Sequence, residues 1–342
     1  MLLPSDESSS TAISLQQHSM QISLSASVGN LSSVMENCSF ESINAFVRSL
    51  HLAVYIPIFI VGIILNALAL IVFCRVLKKW TESTIYMANL ALMDLLLLLI
   101  LPFRIHATID FTGTMQKTFC TFLETLYFVG MYGSIFTIVC ICVDRYIAIK
   151  HPFHATTLRS PEKAFGACAV IWVLVWLGSI PVYDFHDDSY DNIRCFHNFS
   201  KTMWNPPMII AVELFGFIIP MVVLVVCSVK IIKILQKKNN NRDSMIHRAC
   251  VRIIYANLLV FLVSFTPSHV GIFLQYLVRG DVITDCRAKQ NISLFVQVSM
   301  CLSNVTCCLD AFCYYFVTKE TRSTDSFRRT LSFRNTSSTT EV

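Results

Sequence analysis

Charged residues are scarce in this chain. They make up 14% of its 342 residues, against roughly 25% in ordinary soluble domains, while 54% of the residues are apolar. The deficit indicates a membrane protein. No HExxH, phosphate-loop or nucleophile-elbow pattern is found, which argues against an enzyme. The chain also lacks a repeat that relates its two halves, as inverted-repeat transporters often have, and the alternating strands of a barrel.

Seven apolar windows are each long enough to cross a hydrocarbon core. Four windows carry no charged residue when Glu213, at the edge of the fifth window, is left out of the count. The other three carry one acidic residue each: Asp94, Glu124 or Asp310. The windows are Leu52 to Cys74, Ile85 to Phe103, Thr118 to Val143, Ala164 to Tyr183, Leu214 to Val229 extended back through Glu213, Ile253 to Val278 and Asn291 to Val317. The first 37 residues lack the basic start and apolar core of a signal peptide, so the first window is expected to act as its own signal.

Basic residues fix the orientation, because Lys and Arg favour the cytoplasmic side of short loops. An outside N-terminus places most of the 27 basic residues inside, so the net charge of +5 reflects topology and not a nucleic-acid partner. Asn30, Asn37 and Asn198 then lie outside in glycosylation sequons. Of the 14 cysteines, four face the oxidising side. Three connectivities are open, and the favoured one pairs Cys120 with Cys195 and Cys38 with Cys286.

Polar residues interrupt the apolar windows in a regular way, although each is unfavourable in a bilayer. Asn66, Asp94, Ser134 and Asp310 lie in "GIILNALAL", "NLALMDLLL", "YGSIF" and "LDAFCYY", and further motifs are "DRY" at Asp144, Arg145 and Tyr146, Trp172, Pro220 and "FLVSFTP" at Phe261 to Pro267. This set resembles the rhodopsin-like (class A) G-protein-coupled receptors. The resemblance implies an all-α bundle of seven transmembrane helices at 45–318, after a disordered extracellular segment 1–44. A cytoplasmic eighth helix and Ser/Thr-rich tail are expected at 319–342.

The resemblance also assigns roles. Asp144, Arg145 and Tyr146 are expected to couple to a heterotrimeric G protein, and Asp94, Ser134 and Asp310 form an oxygen set that suits a sodium ion; no other cofactor is expected. The switch residues are Pro220, Phe261, Phe265, Pro267, Asp310 and Tyr314. A merely structural kink is the alternative reading of Pro220. The sequence departs from the family at Ala311, where Pro is usual, and at Phe265, where Trp is commonest.

The outer end of the bundle carries the ligand prediction. One face of the third span has Glu124, Tyr127, Phe128 and Met131 at helical spacing. We favour a pocket role for Glu124, whereas core packing is equally compatible with Phe128 and Met131. Basic residues near the mouth indicate an anionic ligand, and aromatic walls could receive an acyl chain; headgroup anchoring is the alternative for the basic residues. The remaining predicted pocket residues are Arg104, Phe265, His269, Phe273, Arg287 and Lys289, with Arg279 near them.

From about Asn44 to Glu320 the sequence is similar to the branch that contains the lysophosphatidylinositol receptor and its kynurenate-sensing sibling. The similarity is carried by runs such as "LETLYFVGMYGSIFTI" and "VSFTPSHVGIFLQYLVR". It implies a lysophosphatidylinositol ligand, a pocket lined by Arg104 and Glu124, and coupling to the Rho-activating G proteins of the plasma membrane. A small aromatic acid or nucleotide is the alternative ligand, and a transporter or channel is a remote alternative function.

The C-terminal segment "SFRRTLSFRNTSSTTEV" is rich in Ser and Thr. It offers Thr330, Ser332, Thr336, Ser337 and Ser338 as phosphosites for arrestin recruitment, although a merely solvated tail is the alternative. The last three residues, Thr340 to Val342, fit a PDZ ligand, whose carboxylate is caught by backbone amides.

Overall fold

The computed structural model describes the chain from residue 38. The described ranges are 38–77, 80–109, 115–152, 155, 157, 159–186, 192–193, 195–196, 199–200, 202–237 and 244–337. Side chains at 76, 237, 244–253, 312–313 and 315–337 lie outside this description. Met1–Ser42 is a unit by itself, and Ile43–Val342 is a second unit that holds the helical bundle.

Seven helical segments are long and apolar enough to cross a membrane, which confirms the predicted all-α architecture. The spans, numbered in chain order, are Glu41–Arg75, Glu82–Ile109, Lys117–Lys150, Pro161–Asp184, Pro206–Gln236, Ile254–Arg279 and Cys286–Ala311. Their α-helices are Glu41–Ile71 (α1), Glu82–Ile109 (α2), Lys117–Lys150 (α3), Pro161–Gly178 (α4), Pro206–Glu213 (α5), Ile219–Lys237 (α6), Ser244–Arg279 (α7) and Cys286–Ser337 (α8). In the structure α8 runs past residue 319 without a break. The predicted division into a seventh span and a separate eighth helix stays a prediction.

The second and third spans form the centre of the bundle. Their apolar windows are 72% and 61% buried, against 28% in the first, fourth and fifth spans. The outer faces of the peripheral spans expose rows of aliphatic side chains, such as Ile60, Ile64 and Leu68 in the first. Such continuous apolar surface is unfavourable in water, and backbone groups satisfied within helices suit a bilayer. These faces therefore contact lipid.

A glycine sets the close approach of the two central helices. A Cβ added to Gly130 of α3 would lie 2.8 Å from Leu97 Cγ and 3.2 Å from the backbone oxygen of Met93, both on α2. Close by, the Asn89 amide donates to Thr137 Oγ1 at 2.7 Å and accepts from Trp172 Nε1 at 2.9 Å. The second, third and fourth spans are thus joined by packing and by buried hydrogen bonds.

The first span ends in a π-helical turn, Val72–Val76, and the fifth span contains another, whereas the described backbone of the sixth and seventh spans is α-helical throughout. A π-helical turn, Leu214–Ile218, separates α5 from α6 directly before the buried Pro220. Since proline lacks an N–H, such a turn accommodates the carbonyl that it leaves unpaired. Pro267 lies inside α7, and α8 continues through Ala311, the position where the family usually has proline.

The outer loops are fastened to the top of the third span. Two short strands, Met115–Gln116 (β1) and Asn192–Ile193 (β2), pair antiparallel. Cys120 and Cys195 form the predicted disulfide, with a Cα–Cα distance of 5.1 Å. The Cys38–Cys286 pairing stays a prediction. The disulfide brings the second outer loop over the bundle, where it can cover a ligand site.

Candidate ligand pocket and coupling site

Arg104 lies near the outer end of the second span, in a corner formed by aromatic rings. Its guanidinium carbon is 4.7 Å from the ring centroid of Tyr127, 4.9 Å from that of Phe196 and 5.9 Å from that of Tyr55. Among the described residues, its Nη1 atom is buried without a hydrogen-bond partner, and no carboxylate forms an ion pair with it. A half-buried cation whose buried donor is open and which has no described counter-ion suits an anionic ligand.

Glu124 is 1% exposed, and the second outer loop occupies both of its carboxylate oxygens. The backbone N–H of Phe196 donates to Oε1 at 2.7 Å, and His186 Nε2 lies 2.8 Å from Oε2. Glu124 therefore braces the loop, and its direct contact with a ligand stays a prediction. Sequence reasoning missed His186 and Phe196, although the position of Phe196 next to Cys195 was a signal that it lies above the third span.

Of the other predicted residues of the third span, some lie beside Arg104 and its aromatic neighbours and some lie in the apolar core. Tyr127 faces Arg104, and its hydroxyl donates to Met300 Sδ at 3.3 Å. Phe128 packs edge-on against Phe185, with ring centroids 6.0 Å apart. Met131 is 2% exposed and belongs to the main apolar core. Of the two alternatives for Met131, the structure favours core packing.

The predicted pocket residues of the sixth span lie at two depths. His269 and Phe265 are fully buried, and His269 Nδ1 is 3.0 Å from the carbonyl oxygen of Phe265. The His269 ring stacks on Phe217 of the fifth span, with centroids 4.4 Å apart. Phe273 is 48% exposed and contacts Tyr276 on its own helix. His269 therefore forms part of the contact between the fifth and sixth spans, and Phe265 belongs to the main apolar core beside Phe261.

The predicted basic residues around the seventh span lie near the surface of the protein. Arg287 is exposed and Lys289 is partly exposed, and in the described part of the chain neither forms an ion pair. Arg279 lies 6.0 Å from the ring of Trp204. These residues can contribute to the electrostatic field at the mouth, but Arg104 alone among them has the buried environment of a specific anion contact.

A polar cluster occupies the middle of the bundle, as predicted from its motif residues. The Tyr314 hydroxyl lies 3.1 Å from Asp94 Oδ2 and 3.2 Å from Asn66 Oδ1, and Ser134 donates to Asp94 Oδ1 at 3.4 Å. Both carboxylate oxygens of Asp310 are buried without a hydrogen-bond partner among the described residues. Hard oxygen atoms that lack partners in this cluster fit a small cation such as sodium.

Asp144, at the cytoplasmic end of the third span, is paired with a residue that the sequence did not single out. Arg159 donates to both of its carboxylate oxygens, at 2.7 and 2.9 Å, and also lies 3.5 Å from Glu82. The ring of Tyr146 contacts the amino groups of two lysines, Lys150 and Lys230. The surroundings of the Asp-Arg-Tyr motif are thus basic, which fits the coupling role predicted for Arg145 and its neighbours.

Several predicted sites lie outside the described residues or side chains. They are the glycosylation sequons at Asn30, Asn37 and Asn198, the tail phosphosites, and the C-terminal Thr340 to Val342. All of these stay predictions.

Seven spans, a buried polar cluster and an Asp-Arg-Tyr motif at the inner end define a seven-helix receptor. The chain belongs to the family described as "7 transmembrane receptor (rhodopsin family)", whose family model matches residues 65–314. It is therefore a G-protein-coupled receptor, a multi-pass protein of the plasma membrane that acts on a heterotrimeric G protein and is not an enzyme.

Three relatives illustrate its place in the family. G-protein coupled receptor 55 of Mus musculus is 47% identical over 301 residues, which cover 84% of this chain and 91% of the relative. G-protein coupled receptor 35 of Homo sapiens is 38% identical, with 76% and 81% covered. Lysophosphatidic acid receptor 6 of Gallus gallus is 33% identical, with 85% and 96% covered. The similarity extends over nearly the whole bundle in each case.

Proposed function

We propose that this receptor responds to an extracellular anionic lysolipid, with lysophosphatidylinositol as the candidate. The observation that carries the proposal is Arg104, a half-buried residue whose Nη1 atom is buried with an open donor and no described counter-ion. A phosphodiester can accept hydrogen bonds from a guanidinium, and the aromatic and apolar neighbours suit an acyl chain. The lysophosphatidic acid receptors among its relatives, named for an anionic lysolipid, support the same ligand class.

Coupling to the Rho-activating G proteins is the second part of the proposal. It is supported by the resemblance of the sequence to the lysophosphatidylinositol-sensing branch. Cells with and without the full chain are treated with lysophosphatidylinositol, and Rho activity is recorded together with sensors for the other G-protein branches. We expect a response in the Rho channel that depends on the chain. Equal responses in both cell lines would exclude this ligand, and a response through another branch would exclude the coupling assignment alone.

The contribution of Arg104 to ligand binding is tested with variants that change the charge or the shape of its side chain. Arg104→Gln is expected to reduce potency by about 30-fold, which corresponds to about 2 kcal/mol for a charge-assisted hydrogen bond. Arg104→Lys keeps the charge but not the fork, so a smaller loss is expected. Arg48→Gln, at an exposed basic residue of the first span, is the matched control. If Arg104→Gln and Arg48→Gln have the same potency, Arg104 is not the anion contact.

A small aromatic acid or nucleotide is the second candidate ligand. The rings of Tyr127 and Phe196 beside the guanidinium favour it, because an aromatic anion could stack on them while its charge meets Arg104. Acyl chain length separates the candidates. A lysolipid site predicts potency that rises with chain length, since each buried methylene contributes about 0.8 kcal/mol. An aromatic-acid site predicts that water-soluble acids activate the receptor and that chain length has no effect.

Three further partners are proposed from the sequence motifs. The unpaired oxygens of Asp310 beside the Asp94 cluster support a sodium ion held by Asp94, Ser134 and Asp310. The Ser/Thr-rich tail supports arrestin recruitment after phosphorylation, and the final Thr340 to Val342 supports a PDZ partner. Replacing sodium by choline in the assay buffer, removing the tail phosphosites and truncating the final residues test these proposals separately.

A further inference from the structure

The backbone at Phe196 adopts a conformation that is unfavourable for its residue type. Its φ angle is +63°, in the left-handed region that bulky side chains rarely occupy. The residue follows Cys195, whose disulfide with Cys120 fixes the loop above the third span. A strained conformation persists only when surrounding interactions hold it in place. Phe196 therefore needs a specific stabilising contact.

Glu124 supplies that contact from inside the bundle. Its Oε1 atom accepts the backbone N–H of Phe196 at 2.7 Å, and its other oxygen is held by His186, whose side chain is 4% exposed. The His186 ring in turn lies 5.4 Å from the ring of Phe199. Hydrogen bonds to a buried carboxylate are stronger than neutral ones. The pair of Glu124 and His186 thus fixes the backbone of Phe196.

The fixed backbone directs the Phe196 ring onto Arg104. The ring centroid lies 4.9 Å from the guanidinium carbon, and the ring meets Tyr127 edge-on with centroids 6.2 Å apart. Arg104 consequently has aromatic contacts from the loop and from the third span, while Nη1 carries no hydrogen bond among the described residues. These contacts restrict the rotamers of a long side chain that would otherwise lose freedom on ligand binding.

We propose that Phe196 is a positioning residue that holds the Arg104 guanidinium ready for the anionic group of the ligand. In this arrangement Glu124 and His186 act through Phe196 and do not touch the ligand. The inference rests on the proposed function only in taking Arg104 as the anion contact. In the described part of the chain Glu124 and Arg104 both contact Phe196 and form no ion pair with each other. The arrangement explains this: the carboxylate holds the loop, and the loop holds the cation.

A ligand-free experiment tests the contact itself. The full chain is purified in detergent as wild type, Phe196→Leu, Arg104→Gln and the double variant, and unfolding temperatures are compared in a double-mutant cycle. A contact predicts that the two shifts are non-additive by about 2 °C or more. Additive shifts would overturn the inference whatever the ligand is. Arg104→Met provides a second cycle if the glutamine variant is poorly expressed.

Potency of lysophosphatidylinositol tests the positioning role. Phe196→Leu is expected to lose about tenfold in potency, and Phe196→Tyr is expected to retain wild-type potency because it keeps the ring. In the Arg104→Gln background Phe196→Leu should have no further effect, whereas a general loop defect would still reduce potency there. Tyr183→Leu, at a 54% exposed aromatic residue near the end of the fourth span, is the matched control. Equal losses in both backgrounds would contradict the proposal.

Variants of Glu124 complete the test. Glu124→Gln keeps an oxygen that can accept the Phe196 N–H and should retain most of the potency, whereas Glu124→Ala should match Phe196→Leu. Equal loss in both Glu124 variants, with Phe196→Leu unaffected, would assign Glu124 to direct ligand contact instead. A wild-type chain that does not respond to lysophosphatidylinositol would refute the proposed function, and the ligand-free cycle would still decide whether Phe196 holds Arg104.

Discussion

The pair of Asp144 and Arg159 joins the third span to the segment before the fourth, and its removal should destabilise the receptor measurably. Arg159→Ala deletes two charge-assisted hydrogen bonds of 2.7 and 2.9 Å and leaves the carboxylate of Asp144, whose side chain is 8% exposed, without that partner. Burial lowers the pKa of Arg159, but the hydrogen bond and charge of Asp144 and the charge of Glu82 raise it to above its ordinary value. The guanidinium is therefore charged at every pH at which the receptor folds.

The magnitude follows from the geometry. A hydrogen bond to a charged group contributes about 1.5–3 kcal/mol, and the 20% exposure of the Arg159 side chain reduces the sum through solvent screening. We expect Arg159→Ala to lower the free energy of unfolding by about 3 kcal/mol, since a partly buried carboxylate loses its counter-ion. At roughly 2–4 °C per kcal/mol, the unfolding temperature should fall by about 8 °C. Thermal unfolding of the detergent-purified full chain, followed by intrinsic fluorescence, measures the shift.

Two variants calibrate the result. Arg159→Lys keeps the charge but not the bidentate geometry, so about half of the shift is expected. Glu82→Gln breaks only the 3.5 Å contact between side chains that are both 20% exposed, and a change below about 1 kcal/mol is expected. If Arg159→Ala unfolds at the wild-type temperature, or if Glu82→Gln is the more destabilising change, the pair does not stabilise this end of the bundle.

Three further predictions use the same unfolding assay. Gly130→Ala should lower the free energy of unfolding by about 1–3 kcal/mol, because the added Cβ would meet Leu97 and the Met93 backbone. Gly166→Ala, where a Cβ would have nothing within 4 Å, should be neutral or stabilising. Equal effects of the two variants would contradict the close approach of the central helices. Tyr314→Phe removes the hydroxyl that lies 3.1 Å from Asp94 and should cost about 1–2 kcal/mol; an unchanged temperature would contradict that hydrogen bond. Cys195→Ser opens a loop of sequence separation 75 and should cost about 2–5 kcal/mol. Cys120→Ser removes the same bond and should lower the unfolding temperature by the same amount; an unchanged temperature in both variants would contradict a stabilising role of this disulfide.

Periodicity and hydropathy were sufficient for the fold because a chain that spans a bilayer must form long apolar helices or a closed barrel, and this sequence lacks the alternating pattern of a barrel. All seven windows lie within or overlap the spans of the structure. The bounds were less certain: the fifth window was placed at 214–229, whereas the span runs Pro206–Gln236, because Glu213 interrupts the apolar run although it lies inside the helix. The irregular turn beside Pro220 was predicted as a kink, but its π-helical form was not.

Residues of the candidate site could be predicted from the sequence only where their position within a single helix indicates their role. Arg104 was identified because a basic residue follows an apolar span, and the structure gives it a buried aromatic corner. His186, Phe196 and Arg159 were not, since each contacts a residue of the third span that is at least 15 positions away along the chain, and no periodic signal indicates such a contact. The loop conformation depends on a disulfide, a buried acid and a left-handed backbone angle together. Single-sequence patterns do not encode that combination.

The absence of proline at 311 bears on where this receptor can bend. α8 passes through Ala311 without a break, whereas the fifth and sixth spans contain a π-helical turn before Pro220 and an internal Pro267. The π-helical turn and the helix that contains Pro267 are joined through Phe217, whose ring stacks on His269 at 4.4 Å and on Phe261 at 6.0 Å. Helices bend most readily where backbone hydrogen bonds are already interrupted. Movement that follows ligand binding should therefore be concentrated between the fifth and sixth spans, with the seventh moving as a continuous helix.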